Sequence, residues 1–586
     1  MQTDTEPIKK MLRLGATIAV VAAMLALHPA TVRAQKGLNN WRSFAVPHGT
    51  PMTVRPPDSE VLKLLPPARP LPAVTDEQHD LGFALWWGPQ DPYLDSMQPP
   101  VTEDLVRKPV IRTPPGETEF LVMGFWGLRD GGNVVVFIED SPLPLTIRHV
   151  EFVPRYVPGR TVDLDDKFIP GGRVVGFATF LPENATALIR RHENAALWLN
   201  VDVPSKAKPG TYTIKLKMIV DSRSVHFTSF KVEVLDFALP RADIAYGMFF
   251  RPHERWIDKR YLTPDLMRAY WRDMARHGMT SATLENYQGL HDGEGNLALD
   301  GVAMVEHLDA MIEEGLVTPD VPVIWLGGVT DLDAPYATAF RSAFKEETIR
   351  RGWPELLMYS WDEPPVDARV REHYAAQQPL RRMFRLVTAI SDVSALHYAD
   401  QLDCMLVHAG QVSPQVRNKL KEHGCELWNY SCQNHGTTNW PFNRFYAGIY
   451  TWALNLKGNF FWAYFDDHHA WEAKRDTAFC WVLPSEGGPV PSVAWEARRE
   501  GVEDYRTLRL LERRIAAGQG SAVAREASAW LDEIRGRVDW YLARDMPPST
   551  YSMDGRDLYP LCPNFQPDEF GTIRRRAVGY IEQLKE

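Results

Sequence analysis

The hydrophobic rhythm of the chain changes once, near residue 240. Over residues 81–240 short runs alternate apolar and polar positions, among them "NVVVFIED", "LWLNVDVP", "YTIKLKMIV" and "FTSFKVEVLDF". Turn residues such as Asp130-Gly131-Gly132 and Lys208-Pro209-Gly210 separate them. Many short strands at this spacing predict an antiparallel β-sandwich. From residue 245 onward, apolar runs without clean alternation take over: "AYGMFF" (245–250), "SATLE" (281–285), "VPVIWL" (321–326), "LLMYSW" (356–361), "MFRLVTA" (383–389), "CMLV" (404–407), "ELWNY" (426–430) and "NFFWAY" (459–464). Runs of this kind suit strands buried on both faces. Amphipathic helices lie between them, the first with Thr263 as N-cap, Pro264 at N1, an apolar face through Leu266, Tyr270 and Met274, and Gly278 as its stop. Eight strands alternating with helices predict a (β/α)8 TIM barrel over residues 241–515.

The flanks read differently. Residues 35–80 are rich in proline ("LPPARPLPAV") and carry no period, as expected of a linker or a strap over the surface. Residues 516–586 read as a helical extension. Just before it, residues 495–508 show the 3.6 period through Val502, Tyr505 and Leu508, and their many charges are expected on a solvated face. At the N-terminus, Lys9, Lys10 and Arg13 precede an uncharged stretch, residues 14–27, and Val32-Arg33-Ala34 follows as a small-residue cleavage site. Residues 1–34 therefore read as a signal peptide. Export to the periplasm or the cell exterior is expected, with no stable membrane span after cleavage.

Composition narrows the function. A net charge of −10 disfavours a general nucleic-acid partner, which needs a basic surface. The 19 tryptophans suit clefts that stack flat apolar faces, although aromatics also fill cores. Five cysteines, at 404, 425, 432, 480 and 562, allow one or two disulfides and leave one thiol over; buried small side chains are the plainer reading. No GxxxxGK[ST], HExxH or suitably placed GxSxG is present. "DDHH" at 466–469 lacks the spaced partner of a metal site, so no metal and no cofactor is expected.

Barrel active sites lie at the C-terminal ends of the strands. Asp362 and Glu363 follow the fourth run directly, and Pro364 and Pro365 stop strand pairing beyond them. Other strand ends offer Arg251 and His253, Glu285 and Asn286, Trp428 and Tyr430, and Trp462, Tyr464 and Asp466 as substrate-binding candidates. Acids, hydrogen-bonding groups and flat rings are what a sugar site requires. Trp428, Trp462 and Tyr464 are equally readable as interior packing, and Arg251 and His253 as structural. Adjacent carboxylates allow one acid to stay protonated while the other is an anion. Neighbours in sequence cannot readily stand on opposite faces of a sugar ring, so they suit a reaction in which a 2-acetamido group attacks the anomeric carbon, an exception to the two-carboxylate geometry.

These residues, with "YSWDEPP", "ELWNYSC", "FYAGIYTWALNLKGNFFWAY" and "PVPSVAWEARREGVEDYRTLRLLE" in this order, resemble glycoside hydrolase family 123 over about residues 81–515. The resemblance implies a retaining exo-β-N-acetylgalactosaminidase, with Asp362 orienting the acetamido group and Glu363 as general acid. It also implies a tyrosine on the acetamido carbonyl, Tyr430 before Tyr464. Two alternatives stay open: a glycosidase for a sugar without an acetamido group, its second carboxylate from Glu285 or Asp466, and a non-catalytic carbohydrate-binding barrel.

Overall fold

The computed structural model describes residues 70–88, 94–157, 173–252, 257–285, 303–326, 337–431, 440–465, 481–540, 564–566 and 568–584. The N-terminal unit is built from β1 (Phe83–Trp87), β2 (Val110–Thr113), β3 (Thr118–Gly127), β4 (Asn133–Asp140), β5 (Leu145–His149), β6 (Glu151–Val157), β7 (Arg173–Phe180), β8 (Thr186–Leu188), β9 (Asn194–Asp202), β10 (Gly210–Val220) and β11 (Ser224–Val234). One sheet has the order β1-β3-β9-β5 and the other β2-β11-β10-β4-β8, while β6 and β7 pair as a separate hairpin. All pairings are antiparallel except β2 with β11, so the second sheet is mixed where a purely antiparallel unit is expected. Leu121 and Phe125 of the first sheet share a core with Leu216 and Val232 of the second.

The four-stranded sheet is apolar on its other face as well. Phe120, Val122 and Trp198 pack there against Trp440, Val493 and Ala497, and the Phe120 and Trp198 rings stack 4.1 Å apart. Burial on both faces explains the unbroken apolar run of β3, which follows the rule for strands covered on both sides. A short helix, Asp76–Leu81, starts inside the 35–80 segment expected to be a linker and runs one residue beyond it, opened by a capping box between Thr75 and Gln78. The capping pattern T-x-x-Q was the available signal.

All eight candidate runs form strands of one parallel sheet: β12 (Ala245–Phe249), β13 (Thr283–Glu285), β14 (Val323–Leu326), β15 (Leu356–Asp362), β16 (Leu386–Ile390), β17 (Cys404–His408), β18 (Glu426–Ser431) and β19 (Gly458–Trp462). The order β12-β19-β18-β17-β16-β15-β14-β13 makes a nearly closed barrel. Its interior holds Phe249, Ile324, Leu357, Leu406, Trp428 and Phe460. Large rings fit because glycines face them: a Cβ on Gly458 would stand 2.3 Å from the Trp428 ring, and one on Gly247 2.3 Å from that of Phe460. Around the barrel run α1 (Pro264–Arg276), α2 (Ala303–Glu313), α3 (Ala337–Arg351), α4 (Ala368–Arg381), α5 (Pro414–Glu422) and α6 (Val493–Ala517), followed by α7 (Ala522–Arg537) and α8 (Glu569–Gln583). Thr263 caps α1 and Pro264 opens it, as its sequence signals indicate. Among the described residues no helix is long and apolar enough to cross a membrane.

The charges of α6 are a correction to the sequence reading. Glu496, Arg498, Arg499, Glu500, Glu503 and Asp504 are all buried, because the barrel, the four-stranded sheet and α8 enclose the helix. Arg574 of α8 reaches Asp504 at 2.5 Å, Glu500 at 2.8 Å, Glu119 of β3 at 3.0 Å and Glu503 at 3.2 Å. Arg444 and Arg499 complete the node, at 2.7 Å from Asp504 and 2.8 Å from Glu500. Burial, then the Glu500 charge, push the Glu119 carboxyl up to about 7 against the pull of Arg574 and Arg499. Cys404 and Cys425 are buried free thiols; the other three cysteines, the signal-peptide segment and "DDHH" lie outside the described residues.

Candidate active site

The register of β15 against β16 slips by one residue between Tyr359 and Asp362. Tyr359 pairs with Val387 and Asp362 with Ala389, so Ser360 and Trp361 share the space opposite Thr388 as a β-bulge. Side chains alternate along a strand, so a regular β15 would turn Trp361 inward beside Tyr359 and Asp362 outward to the helices. The extra residue reverses this. Ser360 donates a hydrogen bond to Gln377 of α4 and the Trp361 ring meets His373 of α4 edge-on at 5.0 Å, so both face outward. Asp362 rejoins the inward face, where Tyr359 Oη donates to its Oδ1 at 2.7 Å.

Glu363 then turns the chain. Its φ of 43° lies in the left-handed region, which costs a residue with a side chain about 1–2 kcal/mol. Strain of this kind collects at functional sites. Its N–H donates to the Ala389 carbonyl at 3.1 Å, and its Oε1 accepts a hydrogen bond from Tyr430 Oη. Both carboxylates are exposed at the barrel mouth. Each therefore has its own tyrosine donor. Burial, then the charge of Asp362 and the bond to it, push the Tyr359 hydroxyl well above the usual range, so it stays protonated and donates.

The floor beneath the carboxylates is aromatic. Phe249 meets Tyr359 at 6.2 Å on one side and Trp462 at 5.6 Å on the other. The Arg251 guanidinium stands 5.9 Å from the centre of the Trp462 ring. His408 lies edge-on to Tyr430 at 5.1 Å, with Nδ1 2.9 Å from the Ala409 carbonyl. The mouth thus combines acids, hydroxyls, an imidazole and flat rings.

Arg251, Tyr430 and Trp462 join Asp362 and Glu363 at the mouth. Two candidates do not. Trp428 stands two residues before Tyr430 on the same face, one layer deeper, stacked on Phe460 at 5.5 Å and buried. Tyr464 lies behind the barrel wall, where its Oη donates to Asp273 of α1 at 2.7 Å. Past the end of β19 the alternation no longer holds, so counting from Trp462 misplaces it. His253, Asn286 and Asp466 lie outside the described residues, as does the side chain of Glu285. Tyr359 and His408 are at the mouth without having been singled out. His408 follows Cys404 and Leu406 on one face, and the run read as ending at Val407 stopped one residue short of it. Tyr359 owes its contact with Asp362 to the bulge.

Residues 333–511 match the glycoside hydrolase 123 catalytic domain, a span that includes Asp362, Glu363, His408 and Tyr430. None of the curated proteins matches the chain. Among solved structures, a family 123 glycoside hydrolase from Clostridium perfringens, studied for glycolipid glycan hydrolysis, matches with a TM-score of 0.58 at 12% identity, over 86% of this chain and 100% of that one. A GH5 xyloglucanase from Bacteroides ovatus has a TM-score of 0.30 at 8% identity, over 68% of this chain and 98% of its own. A β-glucuronidase from Bifidobacterium dentium has 0.26 at 13%, over 66% and 64%. The last two are too distant to carry an argument. With that catalytic domain matched across the strands that bear Asp362, Glu363 and Tyr430, the chain resembles glycoside hydrolase family 123 and is a glycoside hydrolase.

Proposed function

We propose that the protein is an exported, retaining glycosidase that removes a terminal β-linked N-acetylhexosamine, N-acetylgalactosamine being favoured, with help from the substrate's own acetamido group. One observation carries the reading: Asp362 and Glu363 are adjacent on one lip of the mouth, held by different tyrosines. Two acids on one lip cannot flank a sugar ring as nucleophile and acid. They can serve an internal nucleophile. The acetamido oxygen bonds to the anomeric carbon as the bond to the leaving oxygen breaks, and Glu363 passes its proton to that oxygen. Asp362 accepts the amide N–H and balances the positive oxazolinium. Glu363, now an anion, takes a proton from water as the water oxygen bonds to the anomeric carbon and the ring opens.

The reading is tested with aryl β-glycosides of N-acetylgalactosamine, N-acetylglucosamine, galactose and glucose, using wild type, Asp362→Asn and Glu363→Gln. Turnover restricted to acetamido sugars and lost in both variants is expected. Hydrolysis of the plain sugars would instead favour a second carboxylate across the cleft, from Glu285 or Asp466. Because the Clostridium perfringens enzyme is concerned with glycolipid glycans, head-group glycans ending in β-N-acetylhexosamine form the second panel. Export predicts a mature N-terminus at Gln35, read by N-terminal sequencing.

A further inference from the structure

We propose that Thr388 is a positioning residue for the catalytic pair, holding the bulge that turns Asp362 into the cleft. The inference rests on the reading of Asp362 and Glu363 as the reacting groups. A bulge interrupts the ladder and leaves backbone groups without strand partners. Here side chains replace them. Thr388, fully buried on β16 directly opposite the bulge, donates its hydroxyl to the Trp361 carbonyl. That hydroxyl in turn accepts a hydrogen bond from Tyr374 Oη of α4 at 3.1 Å. The chain from Tyr374 through Thr388 to Trp361 runs in one donor direction, so each bond strengthens the next. On the neighbouring residue, His373 Nε2 lies 3.3 Å from the Ser360 carbonyl and 3.4 Å from its Oγ. Both bulge carbonyls are therefore gripped from outside the barrel.

The competing state is a β15 without the bulge. A slip of one residue would return Trp361 to the inward face and swing Asp362 toward α4. Thr388 selects between the two, because only the bulged strand presents the Trp361 carbonyl to its hydroxyl. It touches no reacting atom itself. Its effect passes through the backbone to the Asp362–Tyr359 and Glu363–Tyr430 contacts.

Thr388→Val keeps the shape and removes the hydroxyl; Thr388→Ser keeps the hydroxyl. On the best aryl glycoside, the Val variant should lose about 10- to 100-fold in kcat with KM changed by less than about threefold, as expected when reacting groups shift by a fraction of an ångström. The Ser variant should stay within about threefold of wild type. Tyr374→Phe, which removes only the outer donor, should fall between them and decides the matter if the Val variant does not fold. A crystal structure of the Val variant, or of Tyr374→Phe in its place, supplies a readout independent of turnover: the bonds from Tyr359 to Asp362 and from Tyr430 to Glu363 should be broken or lengthened. Intact contacts with unchanged kcat, or equal losses in the Val and Ser variants, would overturn the proposal. Absence of turnover in wild type would count against the glycosidase reading instead, and the contacts would still decide the role of Thr388.

Discussion

Tyr430 of β18 donates a hydrogen bond to Glu363 at the end of β15, across the two strands that separate them in the barrel wall. The contact ties a carboxylate on a strained backbone to a buried, rigid ring. Such a hydrogen bond contributes about 1 kcal/mol while Glu363 is the protonated acid and about 1.5–3 kcal/mol once it is an anion. Tyr430→Phe should therefore lower kcat/KM by about 10- to 100-fold without loss of folding. Steady-state kinetics beside a thermal melt check this, and an unchanged kcat/KM would remove Tyr430 from the site.

Trp428 and Trp462 should separate cleanly in their effects. Trp428 is 1% exposed in the barrel interior, so Trp428→Ala should cost about 3–5 kcal/mol of stability. Trp462, at the mouth beside Arg251, should act on substrate binding, and Trp462→Ala should raise KM with a smaller loss of stability. Urea unfolding and KM for the two variants test the pair; the reverse pattern would return Trp428 to the sugar site.

Arg574 faces four carboxylates from two domains. Arg574→Met should destabilise by about 3–5 kcal/mol, because it leaves buried negative charge without its partner. The loss should appear in the melting of the whole chain and not of α8 alone. A change below about 1 kcal/mol, the range of an exposed pair, would show that the node is open to water.

His277 sets an alkaline limit. Burial opposes its charge, but the Asp273 carboxylate 3.3 Å away, with Glu496, outweighs this and raises it from 6.5 to about 9. A group with a raised folded pKa contributes fully below the unfolded value and loses its contribution as pH rises through the folded one. Stability should fall by about 3 kcal/mol between pH 6.5 and 9. Glu119 and Glu151, both pushed up to about 7 with burial as the main cause, add to the fall at the lower end of that range. Burial pushes the Glu503 carboxyl well above the usual carboxylate range as well, so the difference in slope between wild type and a His277 variant, and not the wild-type slope itself, reports on His277. Chemical denaturation across this range should show the slope in wild type and a flatter one in His277→Gln; equal slopes would refute the assignment.

Local pattern was enough to read the eight barrel strands, the cap of α1 and the position of Asp362 and Glu363 at the C-terminal end of the fourth strand, which runs one residue further than the apolar run and includes Asp362, because period, capping and breakers act over a few residues. Three features were decided by the tertiary structure. The side toward which Asp362 points depends on a bulge held by Thr388 from the next strand and Tyr374 from a helix, and a count of alternating residues contains neither. The depth of Trp428 and the rear position of Tyr464 depend on which layer or wall each ring meets. The burial of Glu500, Glu503 and Asp504 depends on Arg574, some 70 residues later, and on Arg444, about 60 residues before Asp504. Charge in sequence reads as solvated, and it becomes interior only where distant parts of the chain bring the opposite charge to it.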